Sequence, residues 1–180
     1  MKILIYLTSL FISFTILTSC NHRPDFIGSW ERDISDKEYI GKEKLDIFQP
    51  DSIIMGSQLI FKSEEDGFSY QIKFDVCIKG KWLYNNNGLS IYLDISSFQF
   101  NEIPNSFHVY LTKGDNKEYK GEYLNDMKQT LVTELKNRFF NFYNTYNNSP
   151  YYLKNIKVKH NILFCTSAIS QISFEKVPNS

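Results

Sequence analysis

Phe68-Ser69-Tyr70-Gln71-Ile72-Lys73-Phe74-Asp75-Val76-Cys77-Ile78-Lys79 is the stretch that decides the fold. Its even-numbered residues are apolar or aromatic, and its odd-numbered ones, Cys77 apart, are polar. A strand turns successive side chains to opposite faces, so this alternation predicts a strand with one buried and one solvated side. The same period of two returns in Leu89/Ile91/Leu93/Ile95, Phe107/Val109/Leu111, Ile156/Val158 and Ile172/Phe174. Between the runs lie Gln49-Pro50-Asp51, Glu64-Glu65-Asp66-Gly67, Asn86-Asn87-Gly88 and Gly114-Asp115-Asn116, whose residues tolerate or preset turn dihedrals. Short turns join antiparallel neighbours. The expectation is a mainly β fold, an antiparallel barrel of about eight to ten strands.

One segment departs from this period. Leu124, Met127, Leu131, Leu135, Phe139, Phe142 and Tyr146 recur every three or four residues, which predicts an amphipathic helix over 124–146, before the last strands. Asp126 and Gln129 resemble a capping box at its start, and Asn147-Asn148-Ser149-Pro150 stops it. Such a helix covers its own core; a lid or a partner surface is the alternative use.

The composition narrows the function. The chain has 180 residues, with 20 basic against 20 acidic side chains. Phosphate binding needs a net basic face, so nucleic acid is not an expected partner. Aromatic residues make up 16%, including 15 Phe and 12 Tyr, which excludes disorder and supplies a core.

The N-terminus reads as an address. Lys2 is a minimal positive region, Ile3 to Leu17 is mostly apolar, and Leu17-Thr18-Ser19-Cys20 closes it with small residues. This order is that of a secretory signal peptide. The apolar run falls short of the ~20 residues a membrane-spanning helix needs. The tetrad ending at Cys20 resembles the lipobox of bacterial lipoproteins. That resemblance implies removal of residues 1–19, a diacylglycerol on the Cys20 sulfur, and acylation of the new N-terminus with chains such as palmitate. Two or more chains make a stable anchor, so membrane lipid is the implied partner. Residues 20–25 are then a lipidated tether and 26–180 the barrel domain. Lys2 leaves with the leader, so the mature chain carries one more acidic than basic residue. Asn21 stands where an Asp resembles the inner-membrane retention signal of enteric bacteria. The expected place is the outer membrane, facing the periplasm.

The domain opens on Phe26-Ile27-Gly28-Ser29-Trp30-Glu31. Its Gly-x-Trp resembles the first-strand motif of lipocalins and of the lipocalin-like lipoproteins of Gram-negative bacteria. Gly80-Lys81-Trp82-Leu83-Tyr84 followed by Asn86-Asn87-Gly88-Leu89-Ser90-Ile91 is similar to the Gly-x-Trp hairpin of those bacterial proteins. Ile172-Ser173-Phe174-Glu175-Lys176-Val177 is similar to their last strand. The resemblance implies that Gly28, Trp30, Gly80 and Trp82 are a structural motif at one barrel end, with Gly28 making room for a bulky neighbour. In lipocalins an Arg from near the barrel's end packs over the first-strand Trp. The last Arg here is Arg138, on the helix, which leaves Lys176 for that role.

Chemical motifs are scarce. His22 lies in the tether, His108 on a strand between Phe107 and Val109, and His160 in a turn. None has a second His or Cys at metal-ligand spacing, so neither a metal nor a cofactor is expected. Asp75, Asp94, Glu118 and Glu122 read as solvated cross-strand partners for lysines such as Lys73 and Lys79 rather than as a catalytic pair. No catalytic motif marks an enzyme. Beyond Cys20, Cys77 and Cys165 form an even pair in an oxidising compartment and are candidates for a disulfide. A bridge between them would be worth about 4–5 kcal/mol by loop entropy.

Two functions follow. One is a binding module holding a small apolar or amphipathic ligand in the barrel. The other is a non-enzymatic interaction or assembly protein of the envelope with a filled barrel. Interior volume separates them, since ligand sites begin at roughly 300 Å³.

Overall fold

The alternating runs pair into nine strands, β1 Gly28–Ser35, β2 Tyr39–Phe48, β3 Ser52–Glu65, β4 Phe68–Asn85, β5 Gly88–Glu102, β6 His108–Leu111, β7 Tyr151–Lys159, β8 Ile162–Thr166 and β9 Gln171–Lys176. One helix, α1 Leu124–Asn144, stands before the last three. The computed structural model describes residues 25–65, 67–85, 88–112, 118–121, 123–167 and 170–178. The expected leader, Cys20 and all of the tether but Asp25 lie outside the described residues, as does the turn expected at 114–116.

Every pairing is antiparallel, and the order β3-β2-β1-β9-β8-β7-β5-β4 closes through β3–β4. Eight strands thus form an up-and-down barrel, the architecture the alternation predicts. Closure gives every strand of the ring a neighbour on both sides, which an open sheet denies its outermost strands. The ninth strand, β6, pairs with Phe68–Gln71 of β4, beyond the segment that holds β5. The ring is uneven. β3 and β4 pair over fourteen register positions, from Ser52↔Lys81 to Glu65↔Phe68. β1 and β9 pair at only two, Trp30↔Lys176 and Glu31↔Glu175.

The long strand behaves as its alternation requires. Ile72, Phe74, Val76 and Ile78 are buried while Lys73 and Lys79 are exposed. Inward residues of the other strands, including Ile47, Ile53, Leu89, Ile91 and Leu163, complete one core. Each such side chain contributes about 1.5–3 kcal/mol by burial. In β5 the register slips by three residues, so that Ile95 to Phe98 face Ile78 alone. The Ser97 hydroxyl fills the gap, accepting from the Lys79 amide at 2.8 Å and donating to the Asp94 carbonyl at 2.6 Å. This bulge moves the apolar parity of β5 from odd to even residues. Phe98 now meets Phe140 and Tyr143 of α1, and Phe100 stacks on Phe74 at 4.8 Å.

The helix lies across one end of the barrel. Phe139 meets Tyr39 of β2 and Phe74 of β4 at ring distances of 5.8 and 5.4 Å, and Leu135 and Tyr143 are buried. The expected capping box does not form. Tyr123 takes the N-cap position with no side-chain hydrogen bond, because the helix begins at Leu124, three residues before the start that Asp126 as N-cap would set. Asp126 instead sits in the first turn, where a carboxylate faces the positive end of the helix dipole. Among the described residues no helix is long and apolar enough to cross a membrane.

Candidate functional site

The two ends of the barrel are built differently. Trp30 and Trp82, from β1 and β4, both stand at the end where the chain enters, each against Phe26. The Trp30 indole N–H donates to the Phe26 carbonyl at 2.9 Å. The Trp82 indole N–H reaches the Phe48 and Ser52 carbonyls at 3.0 and 3.1 Å, tying down the β2–β3 turn. Phe26 lies between, edge-on to Trp82 at 5.5 Å and 5.0 Å from the Tyr84 ring. Lys176 Nζ stands 5.7 Å from the centre of the Trp30 ring, the place the family resemblance gives to an Arg. Arg138 is at the opposite end.

The two motif glycines serve different needs. At Gly80 an added Cβ would lie 2.6 Å from the Tyr92 carbonyl oxygen, so the close approach of β4 to β5 excludes any side chain. Gly28 is different from the expectation. A Cβ there would make only ordinary contacts, 3.7 Å from Lys176 Cε and 3.9 Å from Trp30 Nε1. Its φ of +144° is what favours glycine, because side chains crowd that backbone conformation.

The barrel axis is filled. Trp30, Ile47, Ile53, Phe74, Ile91 and Leu163 line it from end to end, all under 2% exposed. A void of about 10 Å³ among Leu45, Met55, Tyr151 and Phe174 has room for one water at most. Above it, Arg32 and Glu43 face each other across β1 and β2, with Arg32 Nε 2.5 Å from Glu43 Oε2 and the guanidinium 5.3 Å from the Phe174 ring. Burial pushes the nearby Cys165 thiol up to about 12, with Arg32 opposing and Glu43 adding to the shift. Burial likewise lifts the Tyr151 hydroxyl to about 12, and raises that of Tyr143.

Space opens instead at the helix end. A groove of about 610 Å³ runs between the N-terminal half of α1 and the rim formed by β3 and β4. Phe61, Tyr70, Met127, Leu131 and Leu135 give it apolar walls, with Tyr123 at the side. Glu38, Asp126, Glu134 and Arg138 ring it, three carboxylates against one guanidinium. Arg138 Nη1 donates to Glu38 at 2.7 Å and to the Tyr39 hydroxyl at 2.9 Å, clamping the helix to the rim. A second, more polar recess of about 410 Å³ follows the seam where β1 and β9 part, lined by Arg32, Asp33, Gln171 and Ser173 among others.

The remaining candidates do not gather. Asp94 lies opposite Lys79, while Asp75 lies between Gln58 and Asn101. The ring nitrogen Nδ1 of His108 is 3.0 Å from Glu118, an exposed pair. His160 occupies the β7–β8 turn with Asn161, both at positive φ, the backbone of a two-residue hairpin turn. Glu122 and His22 lie outside the described residues. Cys77 and Cys165 are free thiols, so the candidate disulfide is not formed. Alternation puts the half-exposed Cys77 on the outside of β4, while Cys165 points into the barrel beside Leu163. The wall of the barrel separates them. The groove itself was not legible as a site in the sequence. Its one trace is the spacing of Met127 and Leu131, which a core-facing stripe explains equally well. No protein-family model matches the chain, and no curated protein matches it in sequence.

Proposed function

We propose that this chain is a lipid-anchored lipoprotein of the outer membrane, facing the periplasm, that binds a small amphipathic ligand in the groove beneath α1. The groove carries this reading: about 610 Å³ lies in the range of small-molecule sites, while the barrel axis is packed. Apolar walls take a hydrocarbon body, and the carboxylate-rich rim favours a neutral or cationic head over an anionic one. The lipobox-like tetrad ending at Cys20 supports the anchoring, and the Gly-x-Trp motifs support a lipocalin-like kinship.

The test uses fluorescent alkylamine and alkylcarboxylate probes on the acylated protein, beside native mass spectrometry of protein from its own host. The amine binds more tightly than the carboxylate, and Leu131→Trp, which fills the groove, weakens it at least tenfold. Uptake of neither probe, with no molecule carried through purification, sinks the ligand reading. A second reading, an assembly protein of the envelope, draws on the filled axis and on Phe142, half-exposed on α1. Crosslinks from α1 to one envelope protein in cells would favour it.

A further inference from the structure

The tryptophan end carries exposed apolar side chains that its packing does not need. Phe48, Leu83, Tyr84, Tyr92 and Tyr152 are between 44% and 56% exposed. Register places them together. Phe48, Ser52, Lys81 and Tyr92 form one row across β2, β3, β4 and β5, and Leu83, Ser90 and Tyr152 form the next across β4, β5 and β7. Both rows are on the outer wall, since Ile47, Ile53, Trp82, Ile91 and Leu153 beside them are buried. Tyr84 is at the rim itself, against Phe26.

Charge at this end differs from the rest of the chain. The exposed lysines are Lys81, Lys154, Lys157, Lys159 and Lys176, the middle three on the β7–β8 hairpin. Against them, among the described residues, stand Asp25, Asp46, Asp51 and Glu175, with Asp51 held 3.3 Å from Lys81. A chain with no net charge therefore has a basic end.

The chain enters the barrel at the same end, through Phe26. Only four residues stand between Cys20 and Asp25, five steps of chain with a reach of at most ~18 Å when fully extended. If acyl chains on Cys20 sit in a bilayer, the tryptophan end is the part of the domain held against it. Tyrosines with an apolar body and a polar tip suit the headgroup layer, and lysines suit anionic lipid.

We propose that the outer wall of the tryptophan end is a membrane-contact surface, with Leu83, Tyr92, Tyr152 and Phe48 resting in the headgroup layer of an anionic phospholipid leaflet. This rests on the anchoring proposed above. It orients the barrel with α1 and its groove turned away from the membrane.

The experiment uses the chain's two tryptophans, both at this end. The protein is produced with its leader in a Gram-negative host, its mass is read for acylation at Cys20, and it is placed in vesicles of phosphatidylethanolamine and phosphatidylglycerol with chains brominated near the headgroup. Tryptophan fluorescence falls at least twofold relative to unbrominated vesicles. The variant Leu83→Lys/Tyr92→Glu/Tyr152→Glu loses more than half of that quenching, and Phe142→Glu at the helix end keeps it. Should the triple variant not fold, Lys154→Glu/Lys157→Glu on the exposed hairpin gives the same loss. Acylated protein without quenching overturns the contact surface and leaves the anchoring standing. A chain recovered without acyl groups removes the anchoring, and the contact surface with it. A dimer that forms without lipid and is broken by the triple variant, with no quenching, assigns the wall to a second copy and overturns the proposal.

Discussion

Cys165 illustrates how one residue's position sets a measurable property. It lies in the barrel beside the Arg32–Glu43 pair, and burial lifts its thiol from 9.0 to about 12. Tyr151, near the same pair, is lifted from 10.0 to about 12. Between about pH 9 and 12 the unfolded chain releases protons that the folded chain keeps, so stability falls as pH rises through that window. The slope is up to about 1.4 kcal/mol per pH unit for each group. Urea midpoints taken from pH 8 upward should fall on that course, and Cys165→Ala should flatten it; an equal slope in both proteins contradicts this. Iodoacetamide on the folded protein labels Cys77 before Cys165.

At the scale of elements, α1 is held by packing rather than by its ion pairs. Leu135 is buried between the helix and the rim, and replacing it with Ala should cost about 2–5 kcal/mol by urea denaturation. Arg138 makes several contacts, to Glu38, Tyr39 and Glu134, yet all are exposed to water. Arg138→Ala should cost no more than about 1 kcal/mol. A larger loss from Arg138 than from Leu135 would mean that the clamp, not the core, seats the helix. The β5 bulge matters for the same element. Without its three extra residues Phe98 would point away from Phe140 and Tyr143, and the helix would lose its aromatic bed.

For the whole molecule the barrel has one strong wall and two thin junctions, β5–β7 with three register positions and, thinnest, the β1–β9 seam. β3 and β4 share a continuous ladder, while β9 meets β1 at only two positions before the strands part around the polar recess. Local opening follows the regions with fewest backbone bonds. Native-state hydrogen exchange should therefore be fastest in β9 and slowest along Leu59 to Phe61 and Ile72 to Ile78. Uniform protection around the ring would contradict a seam. This opening lies across the barrel from β3 and β4, so it frees the seam recess without emptying the groove beneath α1.

Much of this architecture was readable in the residues. Alternation in 68–79 and its repeats dictates strands, short turns dictate antiparallel pairing, and the stripe from Leu124 to Tyr146 dictates a helix, because these are local consequences of backbone geometry. The change of apolar parity across Ser96 and Ser97 was also present in the sequence as a sign of the bulge. What local periodicity could not supply is which distant surfaces meet. Closure through β3–β4 and β1–β9, the separation of Cys77 from Cys165 by the barrel wall, and the packed axis all depend on inward side chains from many strands filling one volume. The same holds for the groove. Its walls come from β3 and β4 and from α1, far from them in sequence, so the space between them belongs only to the assembled chain.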